Sequence, residues 1–385
     1  MTTTTRTLAI VLALATASCH ERPPAPPRHF PAVDAGPDAR VYPRHPVLID
    51  ARILGARAER GPWRWSLTWG DLGADSAALD TSARVTRTHR YRAVGRYVVR
   101  LSIRGRDVSD TASDTLTVTV EPRGTPEVLV GAGDIGECGR PDAAATARIL
   151  DSVSGTVFTA GDNAYPDGAA RDYAACYAPT WGRHRKRTHP VPGNHDYLNG
   201  DSAGYFGYFG VAAGDPGAGF YSFELGAWHI VALNSNIAMN AGSREEQWLR
   251  ADLAAHPARC TLAYWHHPRF SSGTTHGGEP LTQPLWQALY DAGADVVIAG
   301  HEHNYERFAP QAPDGTPDST RGLRQFVVGT GGGASYPFGR PVANSEARSR
   351  AHGVLRLTLF DTSYHWEFIP ADAATPGDSG SERCH

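Results

Sequence analysis

Neither sign of charge dominates this chain: 37 Lys and Arg stand against 40 Asp and Glu, a net charge of -3. The basic excess on which nucleic-acid binding would rest is missing. The early apolar run Leu8 to Ala17 is too short to span a bilayer. Cysteine is scarce, with five in 385 residues, and none of the polar motifs described below offers a thiolate, which argues against a zinc finger. What remains is a globular composition, 41% hydrophobic and 20% charged, long enough for two or three domains.

Residues 1–18, with Arg6 ahead of the Leu8 to Ala17 run, read as a signal peptide. Small residues directly before Cys19 resemble a bacterial lipobox, whose Cys becomes the lipidated N-terminus. Thr16 stands where that pattern prefers Leu, so an ordinary cleavage site stays open. Either way the expectation is export, as a cell-envelope lipoprotein anchored through Cys19 or as a secreted or periplasmic protein. Residues 19–46 are rich in Pro without apolar period and read as an extended spacer.

From 47 to 121 the sequence alternates like half-buried strands, in Arg64-Trp65-Ser66-Leu67-Thr68-Trp69, Tyr97 to Ile103 and Thr115 to Val120. Trp69-Gly70-Asp71, His89-Arg90-Tyr91 and Gly95-Arg96-Tyr97-Val98-Val99 resemble the PKD-type immunoglobulin-like module of secreted proteins. Such modules space or position a catalytic domain, and this one would contact a cell surface or polysaccharide. Trp63, Trp65 and Trp69 form either a sugar-stacking face or a core with a domain contact.

Beyond Glu127 strands alternate with helical stretches, Asp142 to Ser154, Ser243 to Ala255 and Pro280 to Ala292, which predicts α/β architecture. Five apolar runs end on polar residues: Gly133-Asp134-Ile135-Gly136, Gly161-Asp162-Asn163-Ala164-Tyr165, Gly193-Asn194-His195-Asp196, Tyr264-Trp265-His266-His267 and Gly300-His301-Glu302-His303. Loops leaving the strand tips of an open α/β sheet share one edge, where ligands gather. Oxygen and nitrogen donors without sulfur suit a hard or borderline cation. Of the cysteines, Cys138 and Cys176 each follow a motif loop and are expected to pair, leaving Cys260 to hold Cys384 and the tail 371–385.

In order, these motifs resemble those of calcineurin-like metallophosphoesterases, and Tyr165 narrows the resemblance to purple acid phosphatases. It covers residues 127–370 and implies a four-layer αββα sandwich following the small β-sandwich. It implies ferric iron on Asp134, Asp162, Tyr165 and His303. A second divalent metal (zinc, manganese or iron) would sit on Asp162, Asn194, His266 and His301, with Asp162 bridging. Metals, ligands and a bridging hydroxide would leave a formal charge of roughly plus one, which attracts phosphate. The resemblance further implies attack of a metal-bound hydroxide on phosphate monoesters, with His195 or His276 as proton donor and Asp196 orienting His195. A phosphodiesterase or nucleotidase on the same metals is the enzymatic alternative, and a surface-binding protein with an inert metal domain is the other. His267 abuts a ligand and reads as structural, as do His184, His189 and His229.

Overall fold

The computed structural model describes residues 32–55, 62–80, 83–106, 111–200 and 202–385. The expected signal peptide, Cys19 and the first part of the spacer lie outside the described residues.

The N-terminal region is two packed β-sheets. Strands Ala32–Asp34, Pro46–Leu54 and Arg84–Arg90 make one. Ala39–Val41, Thr111–Val120, Gly95–Arg104, Arg64–Thr68 and Ala74–Ala78, in that spatial order, make the other. The period-2 pattern sets which side chains go inward: Trp65 and Leu67 are buried while Arg64, Ser66 and Thr68 are exposed. Trp63 and Trp69 are buried with them, so the three tryptophans build the core and not a sugar-stacking face. Trp69 donates its indole N–H to Asp75 at 2.8 Å, stacks on His89 with 4.6 Å between centroids, and gives its carbonyl to the Tyr91 hydroxyl at 2.6 Å.

The spacer reading of 19–46 needs correction over its described part. Ala32–Asp34 and Ala39–Val41 are sheet strands, and between them the chain is held by polar bonds that leave no apolar period to read. Asp38 Oδ1 accepts the Thr117 N–H at 2.6 Å, Asp34 Oδ2 accepts the Val211 N–H at 3.2 Å, and the Asp38 N–H reaches the Lys186 carbonyl at 2.7 Å. Arg40 bridges Glu121 (2.8 Å) and the buried Glu127 (2.7 Å), tying the sandwich to the first strand of the next domain.

That domain has two sheets packed face to face between helices. One has the order Thr188–Val191, Thr156–Ala160, Glu127–Ala132, Gly353–Phe360, Ser363–Pro370, Asp378–Arg383. The other has the order Tyr221–Leu225, Trp228–Ala232, Cys260–Tyr264, Val296–Ala299, Arg324–Val328, Tyr305–Phe308, Ser345–Ser349. Leu129, Phe158, Ile230, Leu262, Ile298 and Phe326 fill the space between the sheets. On the far side of the second sheet Leu249 of helix Arg244–Ala255 and Leu285, Trp286 and Leu289 of helix Gln283–Asp291 pack on Val231, Ala263 and Val297. Strands covered on both faces have no polar side, which is why Val296–Ala299 and Cys260–Tyr264 read as unbroken apolar runs. The expected four-layer αββα arrangement is the one observed.

Helix Arg244–Ala255 starts where its sequence says: the Ser243 hydroxyl accepts the Glu246 N–H at 3.2 Å. Both expected disulfides form, Cys138 to Cys176 and Cys260 to Cys384. The tail 371–385 is more than a tail. Asp378–Arg383 is an edge strand that docks through charge, with Asp378 accepting from Tyr305 (2.6 Å) and Arg307 (2.7 Å), and Glu382 accepting from Arg324 (2.8 Å) and Tyr364 (2.7 Å). Polar docking of this kind gives no hydrophobic signal.

Candidate metal centre

Parallel strands Glu127–Ala132, Thr156–Ala160 and Thr188–Val191 point their C-terminal ends at the same edge as Cys260–Tyr264 and Val296–Ala299, so five motif loops meet. Two of the loops are zipped together. The backbone N–H groups of Asp134, Ile135 and Gly136 donate to the carbonyls of Gly161, Asp162 and Asn163 at 2.9, 2.9 and 3.0 Å. Asp134, Asp162 and His301 hold left-handed backbone angles, φ 60°, 49° and 70°. That conformation is costly for residues with a Cβ and concentrates at functional sites. Two glycines make room: a Cβ on Gly193 would lie 2.1 Å from Asp162 Oδ1, and one on Gly161 would lie 2.4 Å from His266 Nδ1.

The side chains converge in two groups that share one atom. In the first, the Tyr165 hydroxyl lies 3.1 Å from Asp134 Oδ1, 3.1 Å from Asp162 Oδ2 and 3.0 Å from His303 Nε2. His303 Nδ1 faces the Ala334 carbonyl at 2.7 Å and so carries the ring proton, which leaves Nε2 a lone pair. Four possible ligand atoms therefore face one another around one point, and His303 Nε2 is also 3.1 Å from Asp134 Oδ1.

The second group repeats the situation. His266 Nδ1 donates to the Ala160 carbonyl at 2.8 Å, which turns its Nε2 toward the centre. Around it stand Asn194 Oδ1 at 3.0 Å, His301 Nδ1 at 3.1 Å and Asp162 Oδ2 at 3.5 Å. Two donors about 2.1 Å from one ion, at right angles, are about 3 Å apart. Both groups have that spacing, and lone pairs held this close in a buried place call for a cation. The seven residues expected as metal ligands thus lie together, with Asp162 Oδ2 in both sets.

Electrostatics say the same. Burial would raise the Asp162 carboxyl, but His266 and His195 opposite it and the His195 N–H (2.8 Å from Oδ1) outweigh this and hold it well below the usual carboxylate range. Burial, together with the Asp162 and Asp134 carboxylates, pushes the Tyr165 phenol far up, so only a strongly polarising cation would ionise it. His266 would be kept neutral by burial, yet Asp162 pulls it up to about 9, so without an ion its Nε2 holds a proton that a bound cation would displace. Burial and the neighbouring His266, His267 and His276 push His301 well below its ordinary value, leaving it neutral and free to coordinate.

His195 stands beside this centre. Its Nδ1 is 2.6 Å from the Pro166 carbonyl, its Nε2 is 3.9 Å from Asp162 Oδ2, and its ring lies against Tyr165. His276 stacks on His301 with centroids 4.1 Å apart, at the exposed side. Asp196 does not do what was expected of it. Its buried carboxylate accepts from the Gly193 N–H (2.9 Å), both Asn163 nitrogens (3.1 and 3.0 Å) and the Tyr173 hydroxyl (2.6 Å). It braces the Asn194 and Asp162 loops, and His195 is oriented instead by Pro166. His267 packs 4.4 Å from the His301 ring, and its Nδ1 is 2.8 Å from Ser235 Oγ. Burial pushes it down to about 3, so it stays neutral.

Two residues escaped the sequence reading. Tyr336 stacks on His303 at 3.9 Å and 8°. It follows Gly331-Gly332-Gly333 just beyond strand Arg324–Val328, the same strand-then-glycine signal that marks the other loops. Glu302, fully buried between the two histidines of its motif, accepts the N–H groups of His276 at 2.6 Å and Gly277 at 2.7 Å. Gly273 must be glycine to let that carboxylate in, for a Cβ there would lie 2.2 Å from it.

Residues 117–305 match the calcineurin-like phosphoesterase family model. Among curated proteins, purple acid phosphatase 15 of Arabidopsis thaliana is 27% identical over 252 residues, 59% of this chain and 45% of that protein. Purple acid phosphatase 21 of the same plant is 33% identical over 159 residues, 39% and 36% of the two chains. The matches span less than half the length of these relatives. Among solved structures, purple acid phosphatase PPD1 from yellow lupin (Lupinus luteus) seeds superposes with a TM-score of 0.70 at 16% identity, covering 91% of this chain and 74% of the other, a likeness of fold. The chain carries a calcineurin-like metallophosphoesterase domain with purple acid phosphatases among its relatives.

Proposed function

We propose that the chain is an exported phosphoester hydrolase with a binuclear metal centre, acting on phosphate monoesters. The observation that carries the reading is the double membership of Asp162 Oδ2, 3.1 Å from the Tyr165 hydroxyl and 3.5 Å from His266 Nε2. One carboxylate oxygen common to two convergent donor sets is what a pair of adjacent ions needs. Asp134, Asp162, Tyr165 and His303 would hold ferric iron, since two carboxylates and a phenolate favour a trivalent ion. Asp162, Asn194, His266 and His301, mostly neutral donors, would hold a divalent zinc, manganese or iron.

When bound, such a pair supplies positive charge for the phosphate oxygens and lowers the pKa of water. The chain's own residues do the rest. His195, its Nδ1–H fixed on Pro166, turns Nε2 toward the centre and donates from it the proton that the leaving oxygen needs. His276, stacked on His301 at the open side, is the alternative donor and lies where the ester's organic part enters. Asp196 keeps Asn194 and Asp162 in place without touching substrate. The β-sandwich ahead of the domain is read as a PKD-type module that positions it at a cell surface or polysaccharide, with Cys19 as a lipid anchor.

The test is turnover of a mono- and a bis-arylphosphate by metal-loaded protein. Preference for the monoester is expected. Preference for the diester would move the reading to a phosphodiesterase, and turnover of neither would favour a binding protein.

A further inference from the structure

Away from the centre, the edge strand Tyr221–Leu225 and helix Arg244–Ala255 face the sandwich residues Pro37, Val41 and Leu48 across a cleft of about 850 Å³. Glu224, Asp252 and His256 line its catalytic-domain wall. Behind them His229, 1% exposed, places Nδ1 2.9 Å from Glu224 Oε1 and Nε2 2.8 Å from Asp252 Oδ2. His256 stacks on His229 with centroids 5.1 Å apart, and its Nδ1 is 3.2 Å from Asp252 Oδ1 and 3.0 Å from the Asp252 carbonyl. Ser222 donates its hydroxyl to Asp252 Oδ1 at 2.8 Å.

We propose that His229, Asp252 and His256 form a further metal site, of the zinc type, with Glu224 as the carboxylate behind His229. One donor atom from each of the three lies within 4.8 Å of the other two. A carboxylate on the far nitrogen of a histidine fixes its tautomer and raises its basicity toward a metal on the near one; Glu224 and His229 have that relation. Two imidazoles and one carboxylate, with no thiolate, match a borderline ion such as zinc better than magnesium or calcium. The cleft gives access for the ion and room for water in the remaining position.

Charge points the same way. With His229 protonated, the Glu224 and Asp252 carboxylates exceed the positive charge between them. A divalent ion in place of the proton on Nε2 brings His229, Glu224, Asp252 and the ion to neutrality. Uptake then releases that proton to solvent, and no redox change accompanies it. His256, at the end of its helix and 49% exposed, would turn its ring from its Asp252 contacts to offer a nitrogen to the ion.

This inference is independent of the hydrolase reading and is tested by metal analysis of the whole chain. Protein equilibrated with zinc chloride and freed of excess is assayed for zinc, beside His256→Ala and Glu224→Gln. Wild type is expected to hold about one equivalent more than His256→Ala, and Glu224→Gln to bind that equivalent ~10–100-fold more weakly. His256 lies at the surface, so its loss leaves the fold intact, and His256→Gln serves as a second variant. Equal zinc in wild type, His256→Ala and His256→Gln would overturn the proposal and leave the cluster an ion-pair network around a protonated His229.

Discussion

The carboxylate of Glu302 accepts the backbone N–H of His276 at 2.6 Å, and through that bond a residue inside the His301-Glu302-His303 motif fixes a loop remote in sequence. His276 is thereby held against His301, at 4.1 Å between ring centroids. Replacing Glu302 by Val removes the only acceptor described for the His276 and Gly277 N–H groups. KM for a phosphate monoester is expected to rise roughly tenfold, a loss of about 1.4 kcal/mol in binding, with metal content unchanged. Glu302→Gln keeps an acceptor oxygen and should restore most of the loss. Steady-state kinetics of the two variants beside metal analysis decide the matter; equal defects in both would assign Glu302 a role in charge and not in loop placement.

Asn194 contributes a neutral oxygen to the second donor group only, 3.0 Å from His266 Nε2. Asn194→Ala should lose the divalent ion selectively and lower kcat by about 100-fold or more, with iron retained. Element-resolved metal analysis reads this directly, and joint loss of both ions would contradict the division into two groups.

Asp162→Asn strikes both groups at once, since its Oδ2 belongs to each. A neutral amide does not offset two adjacent cations, so both ions should go. Retention of two metal equivalents would show that Asp162 is not the bridge.

Glu245, fully buried, receives the Asn234 N–H at 2.6 Å beside the Ser235 that holds His267. Burial pushes its carboxyl from 4.5 up to about 8. A group whose pKa rises on folding contributes stability below its unfolded value and loses it as pH climbs through the folded one. The protein should therefore lose about 4 kcal/mol between pH 4.5 and 8 from this residue alone. Glu245→Gln should be close to neutral at pH 5 and stabilising at pH 8 in thermal unfolding; a variant destabilised equally at both would contradict the assignment.

The metal-centre residues were legible because each motif is a local event, an apolar strand that ends on a glycine and a donor. Asp134, Asp162, Tyr165, Asn194, His266, His301 and His303 needed only to be placed at strand tips of one sheet edge for the structure to bring them together. Glu302 was not legible, because its role comes from a loop that reaches it from elsewhere in the chain. Asp196 was misread for a similar reason: sitting next to His195 in sequence, it turns the other way, toward Gly193 and Tyr173. Hydrophobic periodicity gave the strands of the core and missed Ala32–Asp34, Ala39–Val41 and Asp378–Arg383, whose places are set by backbone pairing and charged side chains.

The most direct test concerns Tyr165, whose hydroxyl stands within 3.1 Å of Asp134, Asp162 and His303. If that oxygen is an iron ligand, the phenolate passes charge to ferric iron and the iron-loaded protein absorbs visible light. The account predicts a visible band in the wild type that disappears in Tyr165→Phe while part of the hydrolysis survives. An iron-loaded wild type without a band, or a band unchanged in Tyr165→Phe, would contradict it.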